Sequence, residues 1–178
     1  MGLRDRFLGR APAVLEAIFV APGAGAPMEA VAAVRAEPGG LAGDRYAEGK
    51  GYWLGPDACA VTLIRAEDVD RIQRRSRLPL SSGEHRRNLV IRGLRRRQLV
   101  GSRIRVGEAI LAVVAPRPPC GYLERLTRRG MARALGRSSG FCLRVIHSGR
   151  MRTGDTVHWA ERLEPDGGAG LPPDSKKP

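Results

Sequence analysis

Ile104-Arg105-Val106-Gly107-Glu108-Ala109-Ile110-Leu111-Ala112-Val113-Val114-Ala115 reads as a β-hairpin. Two apolar runs rich in β-branched residues flank Gly107-Glu108. A glycine at the first central position suits the tight turn, because it accepts a positive φ without strain. The second run leaves through Pro116-Arg117-Pro118-Pro119-Cys120-Gly121. Prolines lack the N–H that a strand ladder needs, so this exit is stiff and ends the pairing.

Further strands are predicted on either side, over residues 14–22, 28–36, 58–64, 89–91, 141–147 and 156–160. Each is apolar or alternating and bounded by glycine, proline or small polar residues, with Ser148-Gly149 as one such turn. A helix is expected from Ala66 to about Ser76. Its acids (Glu67, Asp68, Asp70) come early and its arginines (Arg71, Arg74, Arg75) late, as the helix dipole favours. Shorter helical stretches are expected at 122–126 and 131–135. Seven or eight strands against two or three helices predict a mainly β fold closed into a barrel or sandwich. No βαβ alternation and no GxxxxGK[ST] phosphate loop is legible.

Composition narrows the class. The 178 residues fit one domain, and 42% hydrophobic content is enough for a core. Aromatics are only 4%, so that core must be aliphatic. Cys59, Cys120 and Cys142 form no CxxC pair and no regular framework. Cys59 and Cys142 lie in apolar runs and read as packing residues. No apolar run reaches membrane-span length, and the charged first ten residues lack a signal-peptide core. A reducing, cytoplasmic home without membrane contact is expected.

The net charge of +13 raises the prospect of a nucleic-acid partner. The arginines are scattered, however, with no interleaved aromatic platform and no helix-turn-helix or zinc-finger spacing. A basic nucleic-acid module is therefore not favoured.

Cys120 is the chemical focus. A thiol held at a rigid strand exit beside Arg117 is favoured as thiolate, the form that attacks electrophiles and binds soft metals. His85 in its polar loop reads as solvated, His147 and His158 have no partners at metal-ligand spacing, and Asp155 reads as a turn residue.

Six elements occur in order: Gly43-Asp44-Arg45, Gly83-x-x-x-Arg87-Asn88-Leu89-Val90, Val106-Gly107-Glu108-Ala109, Arg117-x-Pro119-Cys120, Gly140, and Gly154-Asp155-Thr156-Val157. This ordered set resembles the MOSC domain, named after the C-terminal domain of molybdenum-cofactor sulfurases, in its small stand-alone bacterial form. The resemblance implies a MOSC-type β-barrel with a few short peripheral helices over residues 14–162. An N-terminal extension (1–13) and a disordered tail (163–178) would flank it. It further implies a pterin-based molybdenum cofactor (molybdopterin), with Cys120 as both metal ligand and catalytic residue. Arg45, Arg87 and Arg117 would hold phosphate or pterin. Asn88 would either hydrogen-bond the pterin or order its loop.

The implied activity is reduction of N-hydroxylated or N-oxygenated small molecules, with electrons from an external protein. The alternative is sulfur carriage, with a persulfide on Cys120 charged by an external sulfur donor. No aminotransferase-like domain accompanies these motifs, so pyridoxal phosphate is not expected on this chain alone.

Overall fold

The computed structural model describes residues 11–52 and 59–160. The tail expected at 163–178 lies outside the described residues, as does all but the end of the expected N-terminal extension.

The strands, in chain order, are β1 (Ala13–Val20), β2 (Glu29–Val31), β3 (Ala33–Glu37), β4 (Gly40–Leu41), β5 (Val61–Arg65), β6 (Leu89–Arg92), β7 (Arg103–Val106), β8 (Ala109–Pro116), β9 (Phe141–His147), β10 (Gly149–Arg152) and β11 (Thr156–Ala160). Three helices interrupt them: α1 (Ala66–Ser76), α2 (Gly121–Leu126) and α3 (Met131–Leu135). Seven strands close a barrel in the order β11-β7-β8-β9-β5-β6-β1, sealed where Ala13 and Val14 pair with Val157 and Thr156. Closure removes the open edges that a sheet of this length would expose. β2 continues along β1, and β10, β3 and β4 form a separate small sheet.

The hairpin at 104–115 is β7–β8, paired from Val106↔Ala109 to Arg103↔Ala112. Gly107 has φ +56, and a Cβ there would stand 2.5 Å from the Arg150 carbonyl oxygen and from an Asp155 carboxylate oxygen. Both conformation and space demand glycine. Its neighbour Glu108 donates its N–H to the Arg150 carbonyl at 3.0 Å, tying the turn to β10.

Three features depart from expectation. β5 and β6 run parallel (Leu63↔Leu89, Ile64↔Val90), joined by α1, so one βαβ crossover exists where none was expected. Parallel strands need such a connection. The expected turn at 148–149 continues into β10, which alternates buried Gly149 and Met151 with exposed arginines. A glycine in the inward position hides that alternation from a hydropathy reading. Finally, Cys59 and Cys142 are not separate packing residues but form a disulfide, 2.05 Å between sulfurs, across a sequence separation of 83. Antiparallel pairing of β5 with β9 sets Thr62 opposite Cys142 and brings the two cysteines together. Cys120 is left as the free thiol, which weakens the inference from three unpaired cysteines to a reducing compartment.

Two cores result. The barrel interior is aliphatic as expected, built from residues such as Leu15, Leu63, Ile91, Ile104 and Leu111, with Phe141 its one aromatic. A second cluster lies between the barrel wall and the helices, where Ile64 and Val90 meet Val69, Ile72, Leu123 and Met131. Cys120 packs against this second cluster. No described helix is long and apolar enough to cross a membrane.

Candidate functional site

The loop before β6 builds the site. Asn88, buried at its end, exchanges hydrogen bonds with Thr62 of β5. Its N–H donates to Thr62 Oγ1 at 3.0 Å, and its Oδ1 accepts from Thr62 Oγ1 (2.8 Å) and Thr62 N–H (3.0 Å). Asn88 Nδ2 donates to the Phe19 carbonyl (3.0 Å) and to Asp44 Oδ1 (3.1 Å). These contacts use every donor and acceptor position of the amide. Asp44, fully buried, also accepts from the N–H of Ala21 (3.0 Å) and of Tyr46 (3.3 Å) and from Arg45 Nη1 (3.1 Å). This polar knot fastens β1, β5, the 43–46 turn and the loop together.

His85 is buried rather than solvated. Its ring stands edge-on to Phe19, centroids 5.6 Å apart, and Nδ1 accepts the Arg87 N–H at 3.0 Å. Burial, reinforced by the Arg87 charge, drops its pKa to about 3, so it is a neutral acceptor at physiological pH.

Arginines then line the side facing Cys120. Arg86 holds a left-handed backbone (φ +58), and Nη1 donates to the Ala26 carbonyl at 2.8 Å. Arg87 is buried, with Nε donating to the Ser139 carbonyl and Nη2 to Ser139 Oγ, both at 2.6 Å. Nη1 reaches the Arg86 carbonyl at 3.4 Å. All three acceptors are neutral. Desolvation first, and the Arg117 charge second, push Arg87 down to about 9, with the Cys120 sulfur acting in the opposite direction. Gly140 makes room here, since a Cβ on it would lie 2.2 Å from the Leu63 carbonyl oxygen and 3.5 Å from Arg87 Cδ.

Cys120 immediately precedes α2, half-buried, in extended conformation. Arg117 donates its backbone N–H to the Gly140 carbonyl at 2.8 Å, while its guanidinium has no partner among the described residues. Arg45 lies 5.1 Å from the Tyr46 ring centroid and donates to Met28 Sδ at 3.5 Å. At the rim, Tyr52 and Tyr122 stack with centroids 3.8 Å apart, and the Arg125 guanidinium is 5.7 Å from the Tyr122 ring. The free Cys120 thiol lies within electrostatic reach of the Arg87 guanidinium, and the buried Asp44 acts on Arg45 and Arg86.

A family model for the MOSC domain matches residues 50–158. The chain belongs to the MOSC domain family. Its fold is similar to that of the YuaD protein from Bacillus subtilis, with 17% identity and TM-score 0.65 over 84% of this chain and 96% of that one. It is also similar to YiiM from Geobacillus stearothermophilus (20% identity, TM-score 0.63, 85% and 76% covered). YiiM from Escherichia coli gives 22% identity and TM-score 0.59 over 87% of this chain and 71% of that one. At such identities the likeness is one of fold. Comparison with curated proteins finds no match.

In this MOSC domain, Arg117, Cys120 and Arg45 each lie within electrostatic reach of Arg87. Asn88 braces the loop through its hydrogen bonds to Thr62, Phe19 and Asp44. Four participants were not singled out from sequence as site residues. Asp44 and Arg86 stand inside or beside quoted motifs, and position alone could have nominated them. Tyr122 directly follows the Pro-Cys-Gly element. Ser139 carried no sequence signal, because its role depends on reaching Arg87 across 52 positions of chain.

Proposed function

We propose that this MOSC domain binds a pterin-based molybdenum cofactor through Cys120 and reduces N-hydroxylated or N-oxygenated small molecules. The observation that carries the reading is Arg87, a buried guanidinium whose hydrogen-bond acceptors are all neutral. A buried charge without a carboxylate is costly, and an anion beside it recovers part of that cost. Cys120 sulfur bound to a metal would be one such anion. A phosphate-bearing, sulfur-rich cofactor supplies more negative charge and a soft metal that accepts thiolate.

The donor set fits that group. Among the described residues, no three His, Cys, Asp or Glu side chains converge to hold a metal ion. A metal brought by its own organic ligand needs only one further protein donor, and Cys120 is available. Arg117, whose guanidinium has no partner among the described residues, and Arg45 present forks suited to phosphate or the polar pterin edge. Asn88 and Asp44 act indirectly, by holding the loop and the 43–46 turn.

When bound, the cofactor would supply two-electron chemistry. Conversion of N–OH to N–H takes two electrons and two protons and releases water. The electrons come from an external electron-transfer protein, and a net charge of +13 favours an acidic one.

The test is purification from a host that makes the cofactor, followed by metal and pterin analysis of wild type and Cys120→Ala. Stoichiometric molybdenum in wild type, absent from the variant, is the expected result, with Cys120-dependent turnover of hydroxylamine-type substrates under a flavin-linked donor. A persulfide on Cys120 without molybdenum would overturn the reductase reading and establish sulfur carriage.

A further inference from the structure

A second group of arginines, separate from those around Cys120, surrounds a cavity of about 520 Å³ between α1 and the segment after α3. Arg71, Arg75, Arg96, Arg137 and Ser138 form its polar wall, and Ile72 and Leu135 are its apolar part. The volume lies in the range of small-molecule sites, and the basic lining suits an anionic ligand.

The polar wall is organised from behind. Asp68, buried at 2% exposure, pairs with Arg71 and lies 3.6 Å from Arg65 and 4.0 Å from Arg96. Ser138 Oγ accepts from Arg71 Nη2 at 2.6 Å and from Arg96 Nη1 at 2.9 Å. With two hydrogen bonds accepted, that hydroxyl keeps its own hydrogen to donate. Arg96 is further held by the Arg137 carbonyl. The side chains of Arg75 and Arg137 have no hydrogen-bond or ion-pair partner among the described residues. Two guanidinium groups are thus fixed by Asp68 and Ser138, and two are left free on the same cavity wall. A single carboxylate balances them.

Converging like charges repel, and a bound anion relieves the repulsion. A guanidinium fork matches the oxygens of a phosphate in a bidentate way. Four guanidinium groups line the cavity against one carboxylate, and the two phosphates of a pyrophosphate offset that excess positive charge more fully than a single phosphate does. We propose that this cavity binds a small molecule bearing a pyrophosphate group. Arg75, Arg137 and Ser138 take the phosphate oxygens, and Ile72 and Leu135 support the ligand's less polar part. The site shares no residue with the Cys120 group and stands independently of the cofactor reading.

Calorimetric titration of the whole chain with inorganic pyrophosphate tests the assignment. Saturable, salt-sensitive binding is expected, and Arg75→Glu/Arg137→Glu should weaken it on the order of tenfold or more. The charge-matched Arg105→Glu/Arg144→Glu, on exposed positions of β7 and β9, should change it by no more than about twofold, because diffuse surface charge is screened. Cys120→Ala should bind as wild type does. Absence of saturable binding would overturn the proposal, as would equal weakening by both double variants, which marks net charge alone. An oligonucleotide that binds through Arg75 and Arg137 while pyrophosphate does not would overturn the small-molecule assignment.

Discussion

Arg87, two residues before β6, and Arg92, at its end, live in opposite electrostatic worlds. Arg92, its side chain 43% exposed, is paired with Glu16 and reaches Asp70 at 3.0 Å. Hydrogen bonds to Glu16, then to Asp70, raise its pKa above the ordinary value. Arg87 is buried against neutral acceptors, and burial lowers its pKa to about 9. The first arrangement is matched and replaceable. The second is unmatched and costs the fold stability at neutral pH. Local rules of stability are broken most often where a site needs the residue for something else. The contrast makes the Arg87 side of the strand the one to test for function.

The largest expected difference between the two ends is in cofactor retention. If the proposed cofactor is held there, Arg87→Met should lower bound molybdenum on the order of tenfold or more, because a charge-assisted contact would be lost. Arg92→Met should leave it unchanged. Metal analysis of the two variants, purified side by side, decides the matter. Equal retention in both would break the comparison, since Arg87 would then be a structural brace with no anion to hold.

A smaller effect concerns His85, which shares the Arg87 environment. Its pKa is about 3 in the folded protein, against 6.5 ordinarily. Between those values the unfolded chain takes up a proton that the native state refuses. The stability that a neutral His85 represents is complete above about pH 6.5 and is lost as pH falls toward 3. One such group contributes a slope of at most about 1.4 kcal/mol per pH unit. Urea unfolding of wild type should follow that trend, and His85→Gln should flatten it. Burial outranks the Arg87 charge among the causes, so Arg87→Met should raise the His85 pKa only part of the way, as imidazole NMR shifts would register.

The uneven legibility of the chain has the same physical origin. The β7–β8 hairpin could be read because its determinants are local: a glycine at 107 and β-branched runs on both sides. α1 declared itself through its charge gradient, and Cys120 through the prolines before it. The disulfide could not be read, because 83 positions separate its cysteines and the β5–β9 register brings them together. The bracing role of Asn88 was hidden for the same reason. Its partners Thr62, Phe19 and Asp44 are 26, 69 and 44 positions away. The motif Arg87-Asn88 names two adjacent residues. Only the loop geometry shows that Arg87 reaches Ser139 while its neighbour is tied to Thr62, Phe19 and Asp44.

The smallest expected effect lies at the Arg92 end and tests whether matched charge there matters to the fold. Arg92 bridges Glu16 of β1 and Asp70 of α1, a network that looks structural on paper. Yet all three side chains are at least 37% exposed. Water screens their attraction, and ordering three long side chains costs entropy. Arg92→Met should therefore change unfolding free energy by less than about 1 kcal/mol, and the effect should shrink in high salt. A salt-independent loss several times larger would mean that the Glu16–Arg92–Asp70 bridge clamps α1 to the barrel. Arg92 would then matter to the fold despite its exposure, and exposure would no longer separate a replaceable arginine from an essential one.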